Sequence, residues 1–200
     1  MKKGLRKLAA VVLTAAMALS IGTPAFAADN SQNENTFYIT EDTTLGQIVQ
    51  YTNPEGYAAM PAESRATLNE TYVKDCAENN ENVEAANQAR VLWVKGKLLT
   101  NVTNITKNSF DYSAGVAINT ECPYAYVEAI IYDDTTGELI TSAYDSDYDT
   151  DYLLFTETAD GLKSSYKYRF FVFGDIIPPE GFQTTVSNLN HQSYVTTARG

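Results

Sequence analysis

The chain is poor in the residues that most enzymes use for catalysis: its 200 residues include one histidine, two cysteines and one tryptophan. A Ser–His or Cys–His mechanism would have to use His191, which lies in a polar stretch near the C-terminus. Two cysteines and one histidine are too few for a four-ligand structural zinc site. GxSxG, HExxH and phosphate-cradling glycine motifs are also missing. The route still open to an enzyme is a pair of carboxylates, as in glycosidases.

Residues 1–27 have the charged, apolar and small-residue order of a secretory signal peptide. Four cations precede an apolar run from Leu8 to Ile21, and Ala25-Phe26-Ala27 provides the cleavage site. The run is shorter than the roughly 20 residues that span a bilayer, and no later segment is long and apolar enough. We therefore predict cleavage after Ala27, no membrane span in the mature chain, and a secreted, extracellular protein.

The mature chain is strongly acidic. Loss of residues 1–27 lowers the Lys and Arg total from 14 to 10 and leaves 25 Asp and Glu, a net charge near −15. Such a surface repels nucleic acid and anionic lipid, so we expect no nucleic-acid partner. It can attract basic partners, and it also keeps an exported protein soluble.

The first part of the mature chain has mixed patterning. Residues 28–35 are polar and aperiodic, which predicts a disordered lead. Residues 36–90 predict a short helical segment or appendage. In it, Thr43 or Thr44 could cap a first helix that stops at Asn53-Pro54, and Pro61 begins a second.

Residues 91–200 change to the two-residue alternation of strands. Phe110 to Asn119 alternates apolar and polar side chains, and Asp133 to Gly137 forms a hairpin turn between two apolar runs. About seven short strands without intervening helices predict an antiparallel sandwich or barrel.

One segment sharpens this prediction, since Leu162 lies six residues before Tyr168 at the start of a strand. The segment resembles the tyrosine corner of fibronectin type III and related immunoglobulin-like domains. The resemblance implies a mainly β fold, an antiparallel β-sandwich preceded by the short α-helical segment, in which the Tyr168 hydroxyl bonds back to the preceding loop. Alternation places Tyr168, Phe170 and Val172 toward the core and Lys167, Arg169 and Phe171 away from it.

A run of acidic residues, Asp145, Asp147, Asp149 and Asp151, places a carboxylate at every second position. In an extended chain these carboxylates lie on one side and Tyr144, Tyr148 and Tyr152 on the other. The spacing resembles the start of an EF-hand loop, but Thr150 stands where that loop needs glycine and Thr156 where it needs glutamate. The run therefore predicts either an irregular calcium site or a solvated acidic edge that discourages strand pairing.

The two cysteines, Cys76 and Cys122, admit two interpretations. In an oxidising compartment they could form a disulfide, which would stabilise the fold by about 4 kcal/mol through loop closure. Alternatively, both are buried free thiols.

The chain contains 14 tyrosines, which can form core pairs or, where exposed, stack on sugars and anchor proteins. We predict a secreted, non-catalytic binding or cell-surface interaction module with a protein or glycan ligand. It has no predicted catalytic residue and no cofactor other than the candidate calcium. The alternatives are a small secreted hydrolase that uses carboxylates, and a structural or assembly subunit that uses sheet edges.

Overall fold

The computed structural model describes residues 36–76, 92–184 and 189–200, and all of them belong to one compact unit. The predicted signal peptide, the lead at 28–35 and the predicted boundary between residues 90 and 91 lie outside the described residues.

The described part of the chain begins with a short helical segment, as predicted. It contains α1 (Leu45–Thr52), α2 (Pro54–Ala59), α3 (Ala62–Glu70) and a 3-10 turn (Val73–Asp75). Thr44 caps α1: its hydroxyl accepts from the Gln47 N–H at 3.1 Å, and the Gln47 side chain accepts from the Thr44 N–H at 2.8 Å. Asn53 ends α1 and caps α2 through the Gly56 N–H.

Nine strands follow in the described residues. They are β1 (Leu92–Val94), β2 (Gly96–Thr103), β3 (Phe110–Cys122), β4 (Tyr124–Asp133), β5 (Leu139–Asp147), β6 (Thr150–Ala159), β7 (Lys167–Ile177), β8 (Phe182–Thr184) and β9 (Leu189–Thr196). Antiparallel pairing forms a three-stranded sheet in the order β2-β3-β6 and a four-stranded sheet in the order β5-β4-β7-β9. β1 and β8 form a separate parallel pair.

The first hydrophobic core lies between the two antiparallel sheets, which confirms the predicted β-sandwich. Alternate residues of β3, β4, β6 and β7 point into it, including Tyr112, Val127, Leu153 and Phe170. Burial of these apolar faces is the main force that holds the sheets together.

A second core lies on the other face of the four-stranded sheet, where the helical segment covers it. Leu45, Ile48 and Leu68 pack there against the sheet. Phe171 faces away from the sandwich core, as the alternation predicts, but it is fully buried because it packs in this second cluster. Every residue of β4 is buried because one face meets the sandwich core and the other meets the helices.

The connection between β6 and β7 crosses from one sheet to the other and is fixed by Tyr168. The Tyr168 ring is buried in the sandwich core together with Leu162. Its hydroxyl accepts a hydrogen bond from the Lys163 backbone N–H at 2.8 Å. This is the bond that the tyrosine-corner resemblance predicts.

Candidate functional site

The acidic run is divided between the two sheets. Asp145 and Asp147 lie at the end of β5, and Asp151 lies at the start of β6. Asp149 lies in the turn between them, in the left-handed region with φ of 50°. One continuous extended strand with four aligned carboxylates is therefore not present. Within residues 36–76, 92–184 and 189–200, no group of three or more His, Cys, Asp or Glu side chains is arranged to hold a metal ion.

The division of this segment between β5 and β6 also separates Tyr144, Tyr148 and Tyr152, which the alternation places on one side. Tyr152 pairs in register with Ala117 of β3, while the next residue, Leu153, points into the sandwich core. Tyr152 is therefore on the outer face of the three-stranded sheet, where it is half exposed.

Tyr144 and Tyr148, here called the tyrosine pair, instead rest on two buried tyrosines of β4. The Tyr144 ring stacks on Tyr126 with centroids 6.3 Å apart, and the Tyr148 ring lies 5.1 Å from Tyr124. The outer rings are 46% and 58% exposed, whereas Tyr126 and Tyr124 are 0% and 4% exposed. The pair is therefore exposed aromatic surface that rests on two buried rings.

An open cleft of about 450 Å³ lies where the helical segment meets the turn between β4 and β5. Its lining is mainly polar and includes Glu41, Lys74, Asp134, Arg169 and Gln192.

Arg169 organises one wall of this cleft. Its Nε and Nη2 donate to Oδ1 of Asp134 at 3.0 and 2.8 Å, and its Nη1 donates to Gln192 at 2.9 Å. Gln192 in turn donates to the carbonyl of Cys76 at 3.2 Å. Arg169 faces away from the sandwich core, as the alternation predicts, but its side chain is only 19% exposed.

Asp134 is held in its charged form. Burial opposes that charge, but hydrogen bonds from Arg169 and Lys167 outweigh it and lower the pKa of the Asp134 carboxyl. A carboxylate of lowered pKa is a poor proton donor near neutral pH.

Two carboxyls lie on the helix-covered face of the four-stranded sheet. Glu128 is 0% exposed, and it accepts hydrogen bonds of 2.6 Å from Thr52 at the end of α1 and from Tyr126. Burial raises the pKa of Glu128 to about 7, although both hydrogen bonds act in the opposite direction. Burial also raises the pKa of Asp175 on β7. Sequence analysis missed both; the available signal was a lone glutamate within the apolar β4 sequence.

Of the two interpretations that the sequence admits for the cysteines, the structure has the pair of buried free thiols. Cys76 packs in the helix-covered core and Cys122 in the sandwich core. Burial raises the pKa of Cys76 to about 12 and that of Cys122 to about 11. Neither thiol is therefore an activated nucleophile.

His191 lies in β9, partly buried, where it pairs in register with Val172 of β7. In the part of the chain that the structure describes, no serine or cysteine is hydrogen-bonded to it.

The described helices include none of the length and apolarity that a membrane crossing requires.

No protein family and no curated protein sequence matches the chain. Among solved structures, the sensor domain of the anti-sigma factor RsgI4 of Pseudobacteroides cellulosolvens is 14% identical over 53% of this chain and 92% of its own length, with a TM-score of 0.37. The metal-bound CARDB domain of the PF1109 protein of Pyrococcus furiosus is 12% identical over 56% and 100% of the two chains, with a TM-score of 0.40. β-Glucuronidase 2 of Bacteroides uniformis is 14% identical over 51% and 13%, with a TM-score of 0.31. At such scores these likenesses carry no information about what this chain binds.

Proposed function

We propose that this protein is a secreted, non-catalytic binding module and that the tyrosine pair is its ligand-contacting surface. The observation that carries the proposal is the support of two exposed rings, Tyr144 and Tyr148, by two buried rings of β4. Supported rings lose little conformational entropy when a ligand covers them, and tyrosine is enriched among the residues that dominate binding energy.

The surroundings of the pair fit a protein or a glycan ligand. Asp145 and Asp147 lie in the same strand as Tyr144, and Asp149 follows Tyr148. Carboxylates beside an aromatic ring can accept hydrogen bonds from sugar hydroxyls while the sugar stacks on the ring, or they can pair with a basic protein surface.

The hydrolase alternative has weaker support. A carboxylate mechanism needs an accessible proton donor of raised pKa. Glu128 has a raised pKa but is fully buried under the helices, and the cleft carboxyl Asp134 has a lowered pKa. Neither residue fits the role of the general acid.

The experiment is a binding screen of the mature chain on glycan and protein arrays, followed by affinity measurements on variants. We expect Tyr144→Ala and Tyr148→Ala each to weaken binding by about tenfold or more, the loss typical of an interface residue whose truncation matters.

Tyr51→Ala is the matched control. Tyr51 is 47% exposed and stacks on Phe37 with centroids 4.6 Å apart, so its removal deletes a similar supported ring elsewhere. Equal affinity of wild type, Tyr144→Ala and Tyr148→Ala for the ligand would reject the assignment of the surface. Conversion of the ligand into product would reject the non-catalytic role.

A further inference from the structure

The two buried carboxyls lie together in the layer between the helices and the four-stranded sheet. Glu128 of β4 pairs in register with Phe173, and Asp175 of β7 pairs with Tyr126, so the carboxyls are diagonal neighbours on adjacent strands. Both are covered, with exposures of 0% and 5%.

The surroundings of Glu128 contain hydroxyl groups in place of cations. Thr52 of α1 and Tyr126 of β4 donate hydrogen bonds to it, and Tyr144 is its register partner on β5. Tyr112 on β3 is a further titratable group that interacts electrostatically with Glu128. Among residues 36–76, 92–184 and 189–200, no lysine or arginine forms an ion pair or hydrogen bond with Glu128.

Asp175 also lacks a compensating charge in the described residues. It faces Ser64 and Glu63 of α3, and it interacts with Tyr124 of the neighbouring strand. Glu63 is itself acidic, so ionisation of Asp175 adds repulsion to the cost of burial.

The Thr52 hydroxyl has one proton and three acceptors within reach. Its Oγ1 lies 2.6 Å from Glu128 Oε1, 3.0 Å from the Ile48 carbonyl and 3.4 Å from the Val49 carbonyl of α1. A neutral Glu128 can supply its own proton to Thr52, which leaves the Thr52 proton for Ile48. An ionised Glu128 needs the Thr52 proton, and the Ile48 carbonyl then loses this donor.

We propose that helices α1 to α3, residues 45–70, form a pH-dependent cover of the four-stranded sheet: ionisation of Glu128 loosens α1 and admits water to the sheet face beneath it. An unpaired buried charge is costly, and lifting of the helix is the movement that hydrates it. The face so exposed carries Phe171, Phe173 and Ile130.

The direction follows from linkage. Burial raises the pKa of Glu128 from 4.5 to about 7 in the closed state. The closed layer is therefore fully stabilised below about pH 4.5, and this contribution is lost as the pH rises through about 7. With these two pKa values, the equilibrium constant for opening increases by roughly 70-fold between about pH 5 and about pH 8. The largest possible increase, from low to high pH, is about 300-fold. Burial also raises the pKa of Asp175, so its ionisation likewise destabilises the closed layer as the pH rises.

Amide hydrogen exchange of the mature protein, corrected for the intrinsic pH dependence of exchange, tests the proposal. We expect the opening equilibrium of α1 amides to rise by tens of fold from about pH 5 to about pH 8, while β3 amides stay protected. Glu128→Gln should reduce the rise to the part that Asp175 contributes, whereas Glu55→Gln, at an exposed position of α2, should retain the full rise. Equal rises in α1 and β3, or a rise in Glu128→Gln as large as that in the wild type, would overturn the proposal.

A second variant tests the proposal even if Glu128→Gln does not fold. Thr52→Val removes a hydroxyl that favours the charged carboxylate, so the midpoint of the transition should move to higher pH, and Thr52→Ser should restore it. The carboxyl carbon of Glu128, followed by NMR, should titrate with the same midpoint as the exchange. A midpoint near that of an ordinary glutamate, or one that Thr52→Val leaves unchanged, would overturn the proposal.

Discussion

The hydroxyl of Tyr168 and the backbone N–H of Lys163 are joined by a hydrogen bond of 2.8 Å across the connection that links the two sheets. The bond ends inside the sandwich core, since the Tyr168 ring is 2% exposed. One side chain therefore fills part of the core and also satisfies a backbone donor of the crossover.

Substitution at Tyr168 should separate these two contributions. Tyr168→Ala should lower the free energy of unfolding by about 3–5 kcal/mol, because it leaves a cavity and an unpaired N–H. Tyr168→Phe should cost only about 1–1.5 kcal/mol, the net value of one hydrogen bond. Urea unfolding measures both. Equal, small effects of the two variants would contradict the buried position.

Arg169 and Lys167 both interact with Asp134, but they should differ in their effect on stability. Arg169→Ala should lower the free energy of unfolding by about 1.5–3 kcal/mol, because charge-assisted hydrogen bonds to Asp134 and Gln192 are lost in a partly buried site. Lys167 is 50% exposed and 3.3 Å from Asp134, so Lys167→Ala should cost less than about 1 kcal/mol. Thermal or urea unfolding decides, and an Arg169→Ala variant as stable as wild type would contradict the network.

Two glycines in the left-handed region provide a matched pair. Gly161 has φ of 71° and open space around an added Cβ, so Gly161→Ala should cost about 1–2 kcal/mol from backbone strain alone. Gly137 has φ of 77°, and its Cβ would collide with the carbonyl oxygen of Ile39. Gly137→Ala should therefore cost about 3 kcal/mol or more. Similar urea midpoints for the two variants would contradict the close approach of residue 39 to the hairpin turn.

The regular parts of this fold could be predicted from the sequence because their determinants are local. Thr44 and Asn53 bracket α1, and the alternation around Tyr168 gives the correct core face of β7. The hairpin turn at Asp133 forms where the sequence places it, with the Asp133 side chain accepting from the Thr135 N–H at 2.8 Å.

The helix-covered face could not be predicted in the same way. Alternation shows that Phe171 and Phe170 point to opposite sides of β7, but it does not show what covers the second side. For the same reason the sequence pattern places Glu128 on the solvent-facing side of a half-buried strand, although the residue is buried. The division of the acidic run depends on one positive φ at Asp149, which β5 and β6 impose by entering different sheets.

The export prediction can be checked on the protein itself. We expect the mature protein to begin at Ala28, because a small-residue site follows the apolar run of the signal. Intact mass spectrometry of material secreted by an expressing cell measures the N-terminus. A mass that includes residues 1–27 would contradict cleavage.

The most direct test of the binding proposal is tyrosine footprinting by nitration, with and without the ligand from the array screen. In the free protein Tyr144, Tyr148 and Tyr51 should all react, because they are 46%, 58% and 47% exposed. With ligand bound, we expect protection of Tyr144 and Tyr148 and unchanged reaction of Tyr51. A ligand that leaves Tyr144 and Tyr148 as reactive as before would contradict the role of the tyrosine pair.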